Sequence, residues 1–278
     1  MRISAPRVKS VKRKDNKHGR TYTIILTDPD ETIVRPSVTT RLNAIHSEPL
    51  VGWRIRREAS IHKEAALRLA ALGLDGLGFG MAYDGMVKEI RARLDTDSPA
   101  KIGDNVHAMI EAWSTSQPLP VADTEDAMIA FNKFEHWAKV NEYEPWGAEL
   151  PLWNGVAAGT MDGIGTVKAT ADRLAGLYTL DYKTGSIHPE YDLQIGKYSA
   201  MVLEMFKRGL LVLEPGSPLQ PLMGGIILKL PKTTVADPVE RVRTRVEMEL
   251  DARRFNAVTE IDEWVRTHGT GPLEVAVY

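Results

Sequence analysis

The chain contains no cysteine among its 278 residues. That excludes disulfides, thiol nucleophiles, iron–sulfur clusters and cysteine zinc sites, so any metal chemistry must rest on carboxylates and imidazoles. Such ligands favour hard ions such as Mg²⁺ or Mn²⁺. No apolar run is long enough to cross a bilayer, and the basic N-terminus lacks the apolar stretch of a signal peptide. A cytoplasmic protein with no membrane partner is therefore expected. There is no GxxxxGK[ST] loop, so no ATP-driven motor of that type is attached. Internal repeats and low-complexity segments are missing as well. Net charge is small: 35 Lys and Arg against 37 Asp and Glu leave −2, so any electrostatic footprint must be local. With 43% hydrophobic and 26% charged residues, the composition is that of an ordinary globular protein.

The most basic stretch is the first twenty residues, where Arg2, Arg7, Lys9, Lys12, Arg13, Lys14, Lys17 and Arg20 face one acid, Asp15. Such a run either tracks a phosphate backbone or forms a solvated, partly disordered tail. Within this N-terminal arm, residues 1–36, the β-rich run Thr21–Thr27, bounded by Asp28-Pro29-Asp30, predicts a short strand or a hairpin arm.

Apolar residues at three- and four-residue spacing then predict a helical region over residues 37–142. Its helices span Val38–Ile45, a run from Pro49 to Gly73, Tyr83–Leu94, Pro99–Ser114 and Thr124–Asn141. Glycines 73, 76, 78 and 80 mark a loop between the second and third.

From Glu144 the period changes to two. Trp146, Ala148, Leu150 and Leu152 alternate up to Asn154-Gly155, a hairpin turn signal. Strands are expected at Val156–Val167 and, after a polar loop over Lys168–Ala175, at Leu177–Asp181. A helix over Pro189–Lys207, an apolar strand Gly225–Leu230, an edge strand around Val242, Thr244 and Val246, and a closing helix Arg253–Arg266 complete the chain. The expected fold class is α/β: a central mixed β-sheet with strands near 146, 160, 178 and 227, flanked by helices near 107 and 197. Residues 143–278 form this α/β core, packed as one unit with 37–142.

Chemistry concentrates at Gly159-Thr160-Met161-Asp162-Gly163 and, nineteen residues after Asp162, at Asp181-Tyr182-Lys183-Thr184-Gly185. Strand side chains alternate faces, so Asp181 and Lys183 project together while Tyr182 points away. If the two strands pair, two carboxylates and one ammonium meet at one end of the sheet. A divalent ion there would polarise a phosphate and lower the pKa of a water, with Lys183 orienting that water or stabilising the transition state. An isolated Asp-x-Lys is weak evidence, since charged strand ends usually mark a solvated loop. Two further groups bear on it. Gln194 and Tyr198 share a helix face beside Lys197, and His107 stands one turn from Glu111. Gln194 and Tyr198 can equally cap the sheet edge, and a helical histidine is more often structural than a ligand.

Taken in order, His107, Glu149, Gly159 with Asp162, Asp181-x-Lys183 and Gln194-x-x-x-Tyr198 resemble the motif series of the PD-(D/E)XK nuclease superfamily, most of all its RecB-like branch of stand-alone and CRISPR-associated exonucleases. The resemblance covers roughly Ser37–Leu230, and Pro36-Ser37-Val38-Thr39-Thr40 and Leu50-Val51-Gly52-Trp53 are similar to the opening of stand-alone members. It implies a restriction-endonuclease-like core, with Mg²⁺ or Mn²⁺ held by His107, Asp162 and Asp181. Asp162, Asp181 and Lys183 would be catalytic, Gln194 and Tyr198 would contact DNA, and Glu149 would be a less constant acid. Members of the branch with an iron–sulfur cluster use cysteines this chain lacks.

The implied activity is an exonuclease acting on linear DNA from an end, in recombination, repair or phage DNA processing, beside a recombination or single-strand-binding protein. An endonuclease of the same superfamily and a catalytically inactive DNA-binding module are the alternatives. Helices before the core would wall a DNA channel, Arg54, Arg56 and Arg57 would contact its backbone or form a solvated face, and Trp53, Trp113 or Tyr198 would stack on bases.

Overall fold

The computed structural model describes the chain except residues 1, 17–18, 28–29, 43–44, 46–47, 73–76, 97–98, 219 and 269–278. Four strands come first: β1 (Ile3–Ser4), β2 (Val8–Asn16), β3 (Gly19–Leu26) and β4 (Thr32–Pro36). Five helices follow, α1 (Val38–Leu42), α2 (Glu48–Ala71), α3 (Leu77–Thr96), α4 (Pro99–Ser114) and α5 (Glu125–Val140). Then come β5 (Glu144–Trp153), β6 (Ala158–Val167), β7 (Gly176–Lys183), α6 (Glu190–Lys207), β8 (Val212–Leu213), β9 (Leu222–Lys229), β10 (Val239–Thr244) and α7 (Arg245–His268).

The period-two pattern after Glu144 does what the sequence predicts. β5 and β6 form a hairpin whose turn is fixed by Asn154, its side chain accepting from the amides of Val156 and Ala157. The mixed sheet has the order β10-β9-β7-β6-β5, with β7 and β9 parallel and the other neighbours antiparallel. A parallel pair needs a long crossover, and α6 supplies it.

Alternation along β7 splits its side chains between two cores. Leu177 joins Trp146, Leu152 and Ile164 against Met201 and Met205 of α6 and Phe255 of α7. Tyr178, Leu180 and Tyr182 pack on the other face against Val106 and Ile110 of α4 and Phe131 and Phe134 of α5. Helices α2 and α3 pack on one another through a small separate cluster of Ile61, Ala65, Val87 and Ile90. No helix among the described residues is long and apolar enough to cross a membrane.

Three expectations need correction. The N-terminal arm goes beyond the short strand or hairpin arm expected: β3 and β4 pair as a hairpin does, β2 adds a third antiparallel strand, and β1 pairs with β8. The reason is an apolar alternation: Tyr22, Ile24 and Leu26 point inward and join Ile3 and Ile33 in the core of the central sheet. Gly78 and Gly80 lie within α3 rather than a loop, a cost of about 1 kcal/mol each relative to alanine that tertiary packing can override. Finally, α7 begins at Arg245, eight residues before the expected start, and β10 ends at Thr244. A capping box explains this: the Thr244 amide donates to Glu247 Oε2 at 2.8 Å and the Glu247 amide donates to Thr244 Oγ1 at 3.3 Å. Those hydrogen bonds also hold the Glu247 carboxyl below its ordinary range.

Ile3 is 1% exposed. Ile3→Ala is therefore expected to lower unfolding free energy by about 2–5 kcal/mol, as deletion of a buried isoleucine does, measured by urea denaturation. A change within about 0.5 kcal/mol, as for surface positions, would show that the arm is only loosely attached.

Candidate metal centre

The site forms where β6 leaves β7. The two strands are paired from Val167↔Gly176 to Gly163↔Leu180, and beyond that pair β6 continues along β5 alone while β7 continues along β9. In a strand, the N–H and C=O of one residue point to the same neighbour. Lys183 faces β9, its carbonyl accepting from the Leu230 amide at 2.8 Å. Tyr182 faces the other way, towards the gap that β6 has left.

Both of its main-chain groups must find new partners. The Tyr182 amide donates to Asp162 Oδ2 at 2.7 Å, and the Tyr182 carbonyl lies 3.0 Å from His107 Nε2. A carbonyl only accepts, so Nε2 carries the hydrogen and the neutral ring has its lone pair on Nδ1. That nitrogen stands 3.6 Å from Asp162 Oδ1 and 3.9 Å from Glu149 Oε1. Glu149 is brought opposite Asp162 by the β5–β6 register and sits in the left-handed region, φ 47°. A non-glycine residue there costs of order 1–3 kcal/mol, the kind of backbone strain that clusters at functional sites. One ligand atom from each of His107, Glu149 and Asp162 lies within 4.8 Å of the others.

Asp181 and Lys183 share the α6 face of β7, as their spacing predicts. Lys183 Nζ is 2.8 Å from Asp181 Oδ1 and 2.7 Å from Oδ2, and lies 4.6 Å from the ring centroid of Tyr191. The expectation that both lie at an exposed strand end is corrected: the Asp181 side chain is 2% exposed and Lys183 18%, against 11% for Asp162, 27% for His107 and 30% for Glu149. The centre thus has a mouth at Glu149 and His107 and a floor at Asp181. Burial, with Asp162 nearby, pushes the Asp181 carboxyl up to about 6 against the pull of Lys183. Burial likewise raises the Asp162 carboxyl, against His107 and Lys183.

Gln194 and Tyr198 are buried on α6, at 6% and 5% exposure. Gly159 is what lets Tyr198 approach, since a Cβ there would lie 2.6 Å from the phenol oxygen. Trp113 packs edge-on to Phe134 and stacks on Tyr143. It lines a depression of about 560 Å³ beside α5, with Glu135, His136 and Lys139, that contains none of the centre's residues. Glu111 is exposed and does not join the centre. The side chains of Trp53, Arg54, Arg56 and Arg57 lie outside the described residues. Two contributors escaped the sequence reading: Tyr191, eight residues after Lys183 and legible only as an aromatic near a helix start, and the Tyr182 peptide, which has no sequence signature.

The donor set fits a divalent ion. When His107 is neutral, three carboxylates and one ammonium leave two negative charges, and an imidazole lone pair and carboxylate oxygens converge. The other ring nitrogen of His107 is tied to a backbone carbonyl, the restraint usual for metal-bound imidazoles. No protein-family model matches the chain, and no curated protein matches it in sequence.

A titration checks this geometry. Burial alone would lower the His107 pKa, but Asp162 and Glu149 outweigh it and raise it to about 9. A histidine raised above its unfolded value, about 6.5, stabilises fully below that pH and loses the contribution as pH rises through about 9. In EDTA, the melting temperature is expected to fall more between pH 6.5 and 9 for the wild type than for His107→Gln. Mn²⁺ should then raise the wild-type melting temperature more at pH 9 than at pH 6.5, because it no longer competes with a proton. Equal shifts at both pH values would overturn the ligand assignment.

Proposed function

We propose that this chain is a metal-dependent deoxyribonuclease of the PD-(D/E)XK superfamily, RecB-like in type, that digests linear DNA from an end. The observation that carries the reading is the convergence of His107, Glu149 and Asp162 beside the Asp181–Lys183 pair. These are the residues, from four separate elements, that the motif resemblance singles out. A mixed sheet whose diverging strands carry the acids is compatible with the restriction-endonuclease-like core that the resemblance implies.

When bound, Mg²⁺ or Mn²⁺ would neutralise phosphate charge and supply a hydroxide-like water near neutral pH. The chain's own groups do the rest. His107, fixed by the Tyr182 carbonyl, would offer Nδ1, and Glu149, Asp162 and Asp181 would offer carboxylate oxygens to hold the ion. Lys183 is held between Asp181 and Tyr191 and remains partly exposed. Its ammonium can donate to the attacking water or to a phosphoryl oxygen as negative charge develops. Tyr198 and Gln194 are turned inward on α6, with the Tyr198 phenol against Gly159 of β6.

End dependence rests on the resemblance to stand-alone exonucleases and on the helical region preceding the core. Linear DNA should shorten progressively with Mg²⁺ or Mn²⁺ and not in EDTA, while covalently closed circles survive. Linearisation of a relaxed circular duplex, or internal nicking as the first event, would make the protein an endonuclease. Asp181 is buried against Lys183, so removing either partner alone leaves an uncompensated charge. The double variant Asp181→Asn/Lys183→Met removes both charges together and should stay folded by circular dichroism while cleavage falls by about 10²–10³-fold or more. Wild-type turnover by the folded variant would sink the site.

A further inference from the structure

Strand β2 is an edge of the sheet β2-β3-β4, and every residue from Val11 to Asp15 on it is exposed. The register pairs Lys12 with Thr23 and Lys14 with Thr21, whereas Tyr22 and Ile24 alternate with those threonines and face the core. Lys12 and Lys14 therefore stand on the solvent face, with Lys9 near the register shift that precedes them. Asp15, the one acid of the strand, is occupied by Arg20 at 2.8 Å and Arg13 at 3.4 Å. Arg7, Lys9, Lys12 and Lys14 make no ion pair with another described residue. The surface is consequently a row of unneutralised cations on a protein whose net charge is −2.

The underside of this ribbon is built onto the strand that carries Asp162. Thr160 Oγ1 donates to Tyr22 Oη at 3.4 Å, Ser37 bridges to Ala158, and Arg35 Nε donates to the Asn154 carbonyl at 3.3 Å. We propose that the outer face of β2 and β3 docks the phosphate backbone of DNA whose end occupies the His107–Asp162 centre. The choice of DNA as occupant rests on the nuclease reading, while the cationic strip itself does not. Lysines two apart on a strand are spaced roughly 7 Å, a repeat comparable to that of phosphates along an extended strand. The Thr21 and Thr23 hydroxyls lie beside them as further donors. Phosphate contacts of this kind position the nucleic acid without reading its sequence.

The same lysines have two other conceivable uses. Lysine on an exposed edge discourages strand-to-strand aggregation, and a basic strip can sit on an anionic membrane surface. Attachment to the Asp162 strand favours DNA.

The test is the full-length variant Lys9→Gln/Lys12→Gln/Lys14→Gln. Binding of fluorescein-labelled single-stranded and duplex oligonucleotides is measured by anisotropy in EDTA over a series of NaCl concentrations. Each phosphate contact contributes about 0.7–0.9 to the logarithmic salt slope, so the slope should drop by about 2–3 and the low-salt dissociation constant should rise about tenfold or more. Because no cleavage is needed, the two readings fail separately. A wild type that never cuts DNA but loses binding on substitution sinks the nuclease and keeps the docking surface. Unchanged affinity and slope overturn the inference. Unchanged affinity with self-association on size exclusion would make the lysines edge guards. Binding to phosphatidylserine vesicles with none to DNA would make the strip a membrane contact.

Discussion

The centre depends on one peptide group. Tyr182 lies on β7 at the point where β6 diverges, and its amide and carbonyl are both left facing the gap. Two unpaired main-chain groups at the edge of a core would cost about 1–3 kcal/mol each, so something has to reach them. Asp162 reaches the amide and His107 reaches the carbonyl. The requirement that satisfies the backbone also aims the candidate ligands: the carboxylate turns Oδ1 towards His107 Nδ1, 3.6 Å away, and the neutral imidazole is fixed in the tautomer that presents Nδ1. The Tyr182 ring, pointing to the opposite face, packs edge-on to Phe134 and anchors the peptide from below.

This explains which parts of the site were legible in the sequence. Strand periodicity sufficed for Asp181 and Lys183 to share a face, because alternation is a local property. It also sufficed to locate the hairpin at Asn154-Gly155. The depth of Asp181 was not legible, because burial depends on α6, which lies later in the chain and covers that face. Gln194 and Tyr198 show the same limit. A helix repeat places them on one face, but only the glycine at 159, read together with Tyr198, reveals that this face is turned inward. The left-handed backbone of Glu149 has no signature in its residue type, and the Tyr182 peptide depends on where two strands part, a purely tertiary event. By contrast, the start of α7 is encoded in the sequence as Thr244-Arg245-Val246-Glu247, a signal that the period-two spacing of Val242, Thr244 and Val246 masks as a strand.

Charge within the centre is graded. Asp181 sits deepest and is paired with the ammonium of Lys183. Asp162 lies in the middle, half satisfied by the Tyr182 amide. Glu149 is the most open. An arrangement of this sort places its fixed compensating cation at the floor and leaves the uncompensated negative charge nearer the mouth, where a solvated cation and a polyanion can arrive together. The strain at Glu149 fits that pattern, since the carboxylate held by an unfavourable backbone is the one with fewest other restraints.

The outer layers matter because they keep β7 in place. Thr179, two residues before Asp181, hydrogen-bonds to Ser199 of α6 at 2.8 Å, so α6 cannot slide along the strand without breaking a buried polar contact. α6 is in turn seated on α7 at Gly196, where an added Cβ would come 2.7 Å from Asp251 Cβ. Asp251 accepts from Arg243 through both Nε and Nη2, at 3.0 and 2.7 Å, and Lys197 donates to Asn256 of α7 at 2.8 Å. The start of α7 is fixed by the Thr244–Glu247 capping box. A path of close contacts thus runs from that box, through α7 and α6, to the strand carrying Asp181 and Lys183. Catalytic and ligand groups held within fractions of an ångström require supports that are themselves locked by packing and hydrogen bonds. Loosening Gly196 or Asp251 would therefore disturb the floor of the centre without touching any of its donors.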